Sequence, residues 1–218
     1  MKKVKLFLSI AAFFLLISEV SAGTHYNAEI TGYSGDGRYA ALKIYGIEDG
    51  SGFYFHTIRF LDVFKNRFTG PAISIKQTDD EDAEWIDDRV KRKAASGFRK
   101  YGISSSIKPI QLQLQGTELE KTFNYNNKHY TVKITETDSD IQCNSMAGPI
   151  PGKGFSIALN GRILDQAASP LGKSGCAFQY IIDSAFCYKG HVIIIYRALT
   201  PGFEGPDSSV LFSSSPLE

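Results

Sequence analysis

Five carboxylates on short, glycine-containing turns are the residues whose types and spacing would support chemistry: Asp36, Glu48, Asp49, Glu204 and Asp207. If the N- and C-terminal strands pair, as a closed propeller or barrel requires, these turns would meet at one rim. Clustered carboxylates and turn carbonyls are ligands that Ca²⁺ prefers. The alternative is ordinary turn chemistry without a ligand, because glycine tolerates positive φ and Asp bonds its own backbone. We favour the turn interpretation, since no stretch fits the twelve-residue calcium-loop pattern.

The histidine and serine motifs of known enzyme classes are missing from the sequence. His25, His56, His129 and His191 stand alone in or beside strand-like segments, so each is interpreted as a surface or cross-strand residue. The chain contains no H-E-x-x-H zinc motif and no G-x-S-x-G nucleophile turn. The densest group of carboxylates, Asp79–Asp88, is interpreted as the solvated first half of a helix. The sequence identifies no reaction and favours a non-enzymatic role over an enzymatic one.

The first 22 residues have the organisation of a signal peptide. Three lysines lie within the first five residues, an apolar run follows over 6–17, and Val20-Ser21-Ala22 supplies the small residues that signal peptidase requires. The apolar run is shorter than the roughly 20 residues of a membrane-spanning helix. We therefore predict cleavage after Ala22, a periplasmic or secreted protein, and one mainly-β domain over 23–218.

The charge balance and the apolar segments of the mature chain limit the partners that we expect. Removing the leader with its three lysines and Glu19 from 24 basic and 23 acidic residues leaves a nearly neutral chain. Domains that bind nucleic acid usually have a basic face, so we expect no nucleic-acid partner. No second apolar segment is long enough to span a membrane, so no span is predicted in the mature chain.

Three cysteines remain in the predicted exported chain, and export favours disulfides. On one continuous strand, Cys176 and Cys187 would lie about 36 Å apart, whereas a disulfide needs Cα atoms within about 7 Å. Cys143 and Cys176 instead lie in Gly-, Ser- and Pro-rich loops that flank the 154–166 hairpin. We therefore predict a Cys143–Cys176 disulfide, with Cys187 as a buried thiol. The alternatives are a nucleophilic cysteine with a histidine, or a metal pair of Cys187 and His191.

One amphipathic helix is predicted over about 78–101. Thr78-Asp79-Asp80-Glu81 is a capping-box sequence. Apolar residues then recur at helical spacing: Ala83, Ile86, Val90, Ala94 and Phe98. Acidic residues crowd the first half and basic residues the second, which suits the helix dipole. Trp85 lies beside the apolar stripe and is predicted to dock the helix onto a sheet.

The rest of the chain has the alternating pattern of strands, for example over Ile110–Gln115, Tyr130–Thr135 and Phe155–Leu159. Val192–Ile195 is apolar without alternation, which predicts a central strand covered on both faces. About a dozen strand candidates indicate a mainly-β antiparallel meander with one inserted helix. Periodicity leaves a small propeller-like domain, a sandwich and a barrel open.

Two resemblances add to this pattern. Tyr33–Ala40 reads YSGDGRYA and resembles the S-x-D-G-R-x-x-A phrase of WD40-like β-propeller repeats. Asp36–Tyr39, Tyr45–Phe53 and Gly202–Asp207 resemble the motifs of a bacterial family of predicted secreted proteins of unknown function. The second resemblance implies export and an unassigned role, and it supplies no catalytic residues.

We therefore expect a non-catalytic binding or interaction module whose partner is a protein or an envelope component. The alternative is an envelope hydrolase that uses the carboxylates of the acidic turns, with a divalent cation such as calcium. An enzyme needs a concave pocket that holds carboxylates of perturbed pKa. A binding module needs an exposed apolar patch with a polar rim.

Overall fold

The computed structural model describes residues 25–48, 51–78, 83–146, 148–172, 175–202 and 205–218. These ranges form antiparallel strands, one α-helix and a short 3₁₀ helix, Val63–Lys65. The predicted signal peptide lies outside them. Within them, no helix combines the length and apolar character needed to cross a membrane.

The helix-side sheet is a four-stranded meander extended by a short fifth strand. Its strands in spatial order are β4 (Arg67–Lys76), β3 (Tyr54–Asp62), β2 (Tyr39–Ile47), β1 (His25–Ser34) and β5 (Ile103–Ser104). Every neighbouring pair is antiparallel. The predicted turn Ser34-Gly35-Asp36-Gly37 joins β1 to β2, and Gly37 adopts a φ of 80° there.

The central sheet contains the strand that the apolar run predicts. Its spatial order is β16 (Pro206–Pro216), β15 (His191–Pro201), β14 (Gln179–Tyr188) and β6 (Ile110–Leu112). In β15, the five residues from Val192 to Tyr196 are all completely buried. The prediction of a strand covered on both faces is confirmed.

The outer sheet is a second meander. Its spatial order is β11 (Arg162–Ala167), β10 (Gly148–Leu159), β9 (Lys128–Ser145), β8 (Glu120–Tyr125) and β7 (Gln115–Gly116). Asn160 and Gly161, which the sequence indicates as a hairpin, join β10 to β11 with φ values of 47° and 81°. Positive φ at both positions is typical of a two-residue hairpin turn whose twist matches its strands. A small ribbon of β12 (Leu171–Gly172) and β13 (Gly175–Cys176) follows.

The three sheets stack face to face, and the side chains of β15 alternate between the two interfaces. Ile193 and Ile195 enter the inner core, between the helix-side and central sheets, where they join Leu42 and Leu61. Val192, Ile194 and Tyr196 enter the outer core, between the central and outer sheets. Successive side chains of a strand point to opposite faces, so one strand serves both cores.

This stacking is sandwich-like, so of the three predicted arrangements the sandwich is the one observed. The described residues form no closed barrel, because β1 and β16 lie in different sheets and do not pair. The WD40-like phrase occupies the β1–β2 hairpin of a stacked meander, whereas propeller blades surround a central channel. The mainly-β class and the single inserted helix are confirmed.

Helix α1 (Ala83–Lys100) covers the outer face of the helix-side sheet. Ile86, Val90 and Ala94 are completely buried, as the stripe predicts, and Val90 and Ala94 pack on Ile58 and Phe60. The predicted docking role of Trp85 is wrong, because 67% of that side chain is exposed. Its position lies one residue before the buried Ile86, on the solvent side of the stripe. Of the predicted capping box, residues 79–81 lie outside the described residues.

Replacing Gly97 by Ala is expected to destabilise the protein by about 1–3 kcal/mol, the cost of overpacking a filled core. In an exposed helix the same change stabilises by about 1 kcal/mol. Here the new Cβ would lie 2.2 Å from Cε2 of Phe60, a ring that is only 2% exposed. Urea unfolding of Gly97→Ala, alone and combined with Phe60→Leu, measures the clash. A single variant more stable than the parent would contradict this packing.

The disulfide between Cys143 and Cys176 is present, as predicted, with 5.4 Å between the Cα atoms. It joins β9 of the outer sheet to β13 of the ribbon. Cys187, in β14, is a free and buried thiol, also as predicted. Burial raises its pKa, so the unreactive thiol form predominates.

Candidate functional site

The carboxylate of Asp36 is engaged within its own turn. Its Oδ1 accepts hydrogen bonds from the Ser34 hydroxyl at 2.6 Å and from the Arg38 backbone N–H at 3.0 Å. These bonds, the Ser34 bond first, lower the pKa of Asp36. Lys189, in the β14–β15 hairpin, donates to the Gly35 carbonyl at 2.6 Å and holds this turn against the central sheet.

Glu48 and Asp207 lie at the opposite end of the sheets from Asp36. The nine residues of β2 separate Asp36 from Glu48, a strand length of about 30 Å. Glu48 forms an ion pair with Lys76. The Asp207 carboxylate packs over Gly202, where a Cβ would approach its Oδ2 to 3.0 Å. Glu48 and Ser208 line one cavity of about 490 Å³, so these two turns lie near each other.

The five acidic-turn residues therefore do not share one rim. Asp36 is separated from Glu48 and Asp207, while Asp49 and Glu204 lie outside the described residues. In the part of the chain that the structure describes, no three His, Cys, Asp or Glu side chains form a group that would hold a metal ion.

A different group of charges surrounds a groove between α1 and the helix-side sheet. This cationic groove has a volume of about 750 Å³. Its four basic side chains come from β2, α1 and the segment after β5: Lys43, Lys91, Arg99 and Lys108. Ser104 and Ser105, in the connection between α1 and β6, add hydroxyl groups. Glu29 is its one acidic lining residue among those described.

Asp87 on α1 ties the helix to the sheet at one side of the groove. Its Oδ1 lies 2.6 Å from Nζ of Lys43 and 3.1 Å from Nδ1 of His56, and its Oδ2 pairs with Lys91 one turn later. Lys43 is only 12% exposed and also lies 3.6 Å from Glu29. Its ammonium sits 4.6 Å from the ring centre of Tyr45. A half-buried carboxylate is thus shared by two lysines and a histidine.

The pKa shifts in this cluster follow from its charges. Burial alone would raise the pKa of Asp87, but hydrogen bonds from Lys43 and Lys91 outweigh burial and hold that pKa at about 2. Burial, aided by the positive charge of Lys43, lowers the pKa of His56 despite its contact with Asp87. His56 is therefore neutral at pH 7. Among the described residues the side-chain hydrogen bond of His56 is with the Asp87 carboxylate.

Two cations of the groove remain available to a ligand. Lys43 forms ion pairs with Asp87 and Glu29, and Lys91 forms one with Asp87. In the described ranges, Arg99 and Lys108 have no carboxylate partner. Both side chains are exposed at the groove. The arrangement favours binding of an anion, because preplaced guanidinium and ammonium groups donate charge-assisted hydrogen bonds.

Sequence patterns do not single out Lys43, His56 and Asp87. The sequence predicts a solvated group over 79–88, yet Asp87 faces the sheet, where it contacts Lys43 and also His56, the predicted surface or cross-strand residue. Two signals were available: Asp87 and Lys91 have the i,i+4 spacing of a helical ion pair, and Lys43 shares its face of β2 with Ala41. Neither signal shows that the helix covers that face.

Replacing Asp87 by Asn is expected to lower the free energy of unfolding by about 1 kcal/mol at neutral pH, because solvent screens a partly exposed ion pair. The folded pKa, about 2, lies below the ordinary value of 3.8. The stabilisation that the Asp87 carboxylate provides is therefore fully present above pH 3.8 and is lost as the pH falls through about 2. Urea unfolding between pH 6 and pH 2 measures the difference. The exposed neighbour, in Asp88→Asn, is the control, and an equal loss in both variants would contradict the assignment.

Comparison with known protein families gives a match over most of the chain. A family model described as "Predicted secreted protein (DUF2259)" matches residues 41–214. The match includes β3 to β15 and most of β2 and β16, together with the helix, the disulfide and most of the cationic groove. Comparison with curated proteins and comparison with solved structures give no match.

Proposed function

The chain belongs to the DUF2259 family of predicted secreted proteins, and on that premise we propose that it is an exported, non-catalytic binding protein that holds an anionic ligand in the cationic groove. The ligand is a carboxylate- or phosphate-bearing component of the envelope. Periplasm and extracellular space are both compatible with this role.

The observation that carries the proposal is that four basic side chains line one groove and that two of them, Arg99 and Lys108, have no carboxylate partner in the part of the chain that the structure describes. Ligand pockets usually have volumes of about 300–1,000 Å³ and a few convergent polar groups, and the groove lies in that range. Lys43 and Lys91 are held in place by Asp87, so their positions are fixed before a ligand arrives. Such preorganisation lowers the entropic cost of binding. Arg99 and Lys108 supply the unsatisfied charge.

The geometry also indicates how an anion would be held. Arg99 offers a planar guanidinium that suits bidentate binding of carboxylate or phosphate, whereas lysines act as point charges. Ser104 and Ser105 lie at the same groove and add hydroxyl donors. Glu29 faces the groove but lies 3.6 Å from Lys43, which offsets its repulsion of an anion.

A thermal-shift titration with pyrophosphate and with citrate, at constant ionic strength, tests the proposal. A ligand at a hundredfold excess over its Kd stabilises by about 2.7 kcal/mol, which raises Tm by about 5–10 °C for a chain of this size. Arg99→Gln is expected to weaken binding about tenfold. Arg92→Gln makes the same change on an exposed position of α1 outside the groove and is expected to have no effect. Equal weakening by both variants, or no shift with either anion, would exclude the groove.

The envelope hydrolase with a divalent cation at the acidic turns is the alternative proposal. It now depends on Glu48 and Asp207, together with Asp49 and Glu204, because Asp36 lies a strand length away. Its test is Tm in calcium and in chelator. A clear rise with calcium that Asp207→Asn abolishes would favour this alternative, and an unchanged Tm would leave the turns without a ligand.

A further inference from the structure

A second cavity, about 580 Å³ in volume, opens between β1 and the central sheet. Backbone and side chains of Asn27–Ile30 form one wall, and Asp183, Ser184 and Arg197 form the facing wall. Lys108 and Glu29 lie at its boundary with the cationic groove and line both spaces. The facing-wall residues do not line the cationic groove.

A β-bulge in β14 creates the polar wall. Ile182 pairs with Tyr196 and Ser184 with Ile195, so Asp183 is the extra residue. A bulge redirects side chains locally. Here it lets Asp183 and Ser184 both line the cavity, while Ile182 and Ala185 keep their places in the outer core.

Arg197 occupies the next position on the face of β15 that contributes to the inner core. It follows Ile193 and Ile195 on the same face of β15, and its Nη2 lies 2.8 Å from Asp183 Oδ1. Its Nε is fully buried and has no hydrogen-bond partner among the described residues, and the same holds for Oγ of Ser184. A buried donor without an acceptor destabilises the folded protein. An acceptor that enters this cavity would satisfy both of these donors.

The opposite wall is an open strand edge. β5 pairs with β1 only at Tyr33 and Ser34, so no strand of the described residues lies beside Asn27–Ile30 on that side. The free edge of β14 is treated differently: the N–H of Ile182 donates to the Glu118 carbonyl, and the N–H of Tyr180 donates to the Glu136 carboxylate, each at 2.8 Å. Within the described ranges β1 has no such covering. Open edges accept extended peptides as an added strand.

We propose that this cavity binds the C-terminal end of an extended peptide. The peptide backbone pairs with the edge of β1 at Asn27–Ile30, and its terminal carboxylate accepts hydrogen bonds from Nε of Arg197 and Oγ of Ser184. Charge favours this occupant, because Glu29 and Asp183 are each paired with a cation and Lys108 adds a cation that has no carboxylate partner among the described residues. This site goes beyond the anion-binding role of the groove and does not depend on it.

The test is an NMR titration of the purified protein with N-acetyl-tetra-alanine, as the free acid and as the C-terminal amide, each to 20 mM. The free acid is expected to shift the backbone amides of Asn27–Ile30 and to bind at least tenfold more tightly than the amide. Arg197→Lys keeps the charge but removes Nε, and it is expected to abolish this preference. Arg162→Lys, the same change on β11, is expected to leave it intact.

Ser184→Ala provides a second variant in case Arg197→Lys disturbs folding, and it is expected to weaken free-acid binding several-fold. Equal binding of the free acid and the amide would overturn the proposal. No binding at 20 mM would also overturn it and would mean that the two donors bond only to water. Pyrophosphate titration of Arg197→Lys separates the two sites. An unchanged pyrophosphate response in this variant shows that any loss of peptide binding arises in the cavity and not in the groove.

Discussion

Replacing Cys143 and Cys176 together by serine is expected to lower the free energy of unfolding by about 4 kcal/mol and Tm by roughly 10 °C. The bridge closes a loop of 33 residues, and removing it restores the entropy of that loop to the unfolded chain. The loop contains all of β10 and β11, so the loss affects the outer sheet and its attachment to the ribbon.

Reduction supplies the matching control for this prediction. A reductant should destabilise the parent protein by a similar amount and leave the double variant unchanged. Cys187→Ala removes a thiol without removing a bridge, and it is expected to cost only about 1 kcal/mol, as for the loss of a small buried group. A double variant within 1 kcal/mol of the parent would show that the packed sheets hold these residues without the bond.

Replacing Ile193 by Ala is expected to cost about 3–4 kcal/mol, within the range for large-to-small changes in a core. Ile193 is completely buried and packs in the inner core, between sheets that already fill the space on both sides of β15. Because β15 has neighbouring strands and a sheet on each face, the cavity left by the side chain has little means of collapse.

Ile163→Ala is the matched control, since it removes the same atoms from a side chain that is 59% exposed. It is expected to change the free energy of unfolding by less than about 0.5 kcal/mol. Urea unfolding of both variants gives the comparison. Similar losses at the two positions would contradict the assignment of β15 as the shared strand of two cores.

Local patterns predict the elements of this fold well. Alternation identifies β9 and β10, the absence of alternation at Val192–Ile195 identifies the central strand, and the three-four spacing identifies α1. These signals are local because each follows from the geometry of one element. The disulfide also follows, because a straight strand keeps Cys176 and Cys187 apart and because Cys143 and Cys176 flank the same predicted hairpin.

The stacking of the sheets is not a local property. Alternation shows which side chains of a strand share a face, and it does not show what covers that face. Lys43 and Trp85 illustrate the limit: α1 covers the charged Lys43, while Trp85, which is predicted to dock the helix, remains exposed. Packing between distant segments of the chain determines the exposure of both side chains.

The candidate sites differ from the predicted one for the same reason. Carboxylates beside glycines are visible in the sequence, whereas the cationic groove joins residues from β2, α1 and the segment after β5. Arg197 does carry a sequence signal, because it interrupts an apolar strand at the position where period two requires an inward side chain. Its partner Asp183 depends on a bulge that no pattern predicts.

The unpaired Cys187 has a consequence for how the exported chain acquires its bridge. In the unfolded chain, Cys176 lies 11 residues from Cys187 and 33 from Cys143, so loop-closure statistics favour contact with the wrong partner by about fivefold. Oxidation before β14 is buried therefore yields mostly the short, incorrect loop. The yield of native protein then depends on thiol–disulfide reshuffling, or on the central sheet assembling first and shielding that thiol from oxidants.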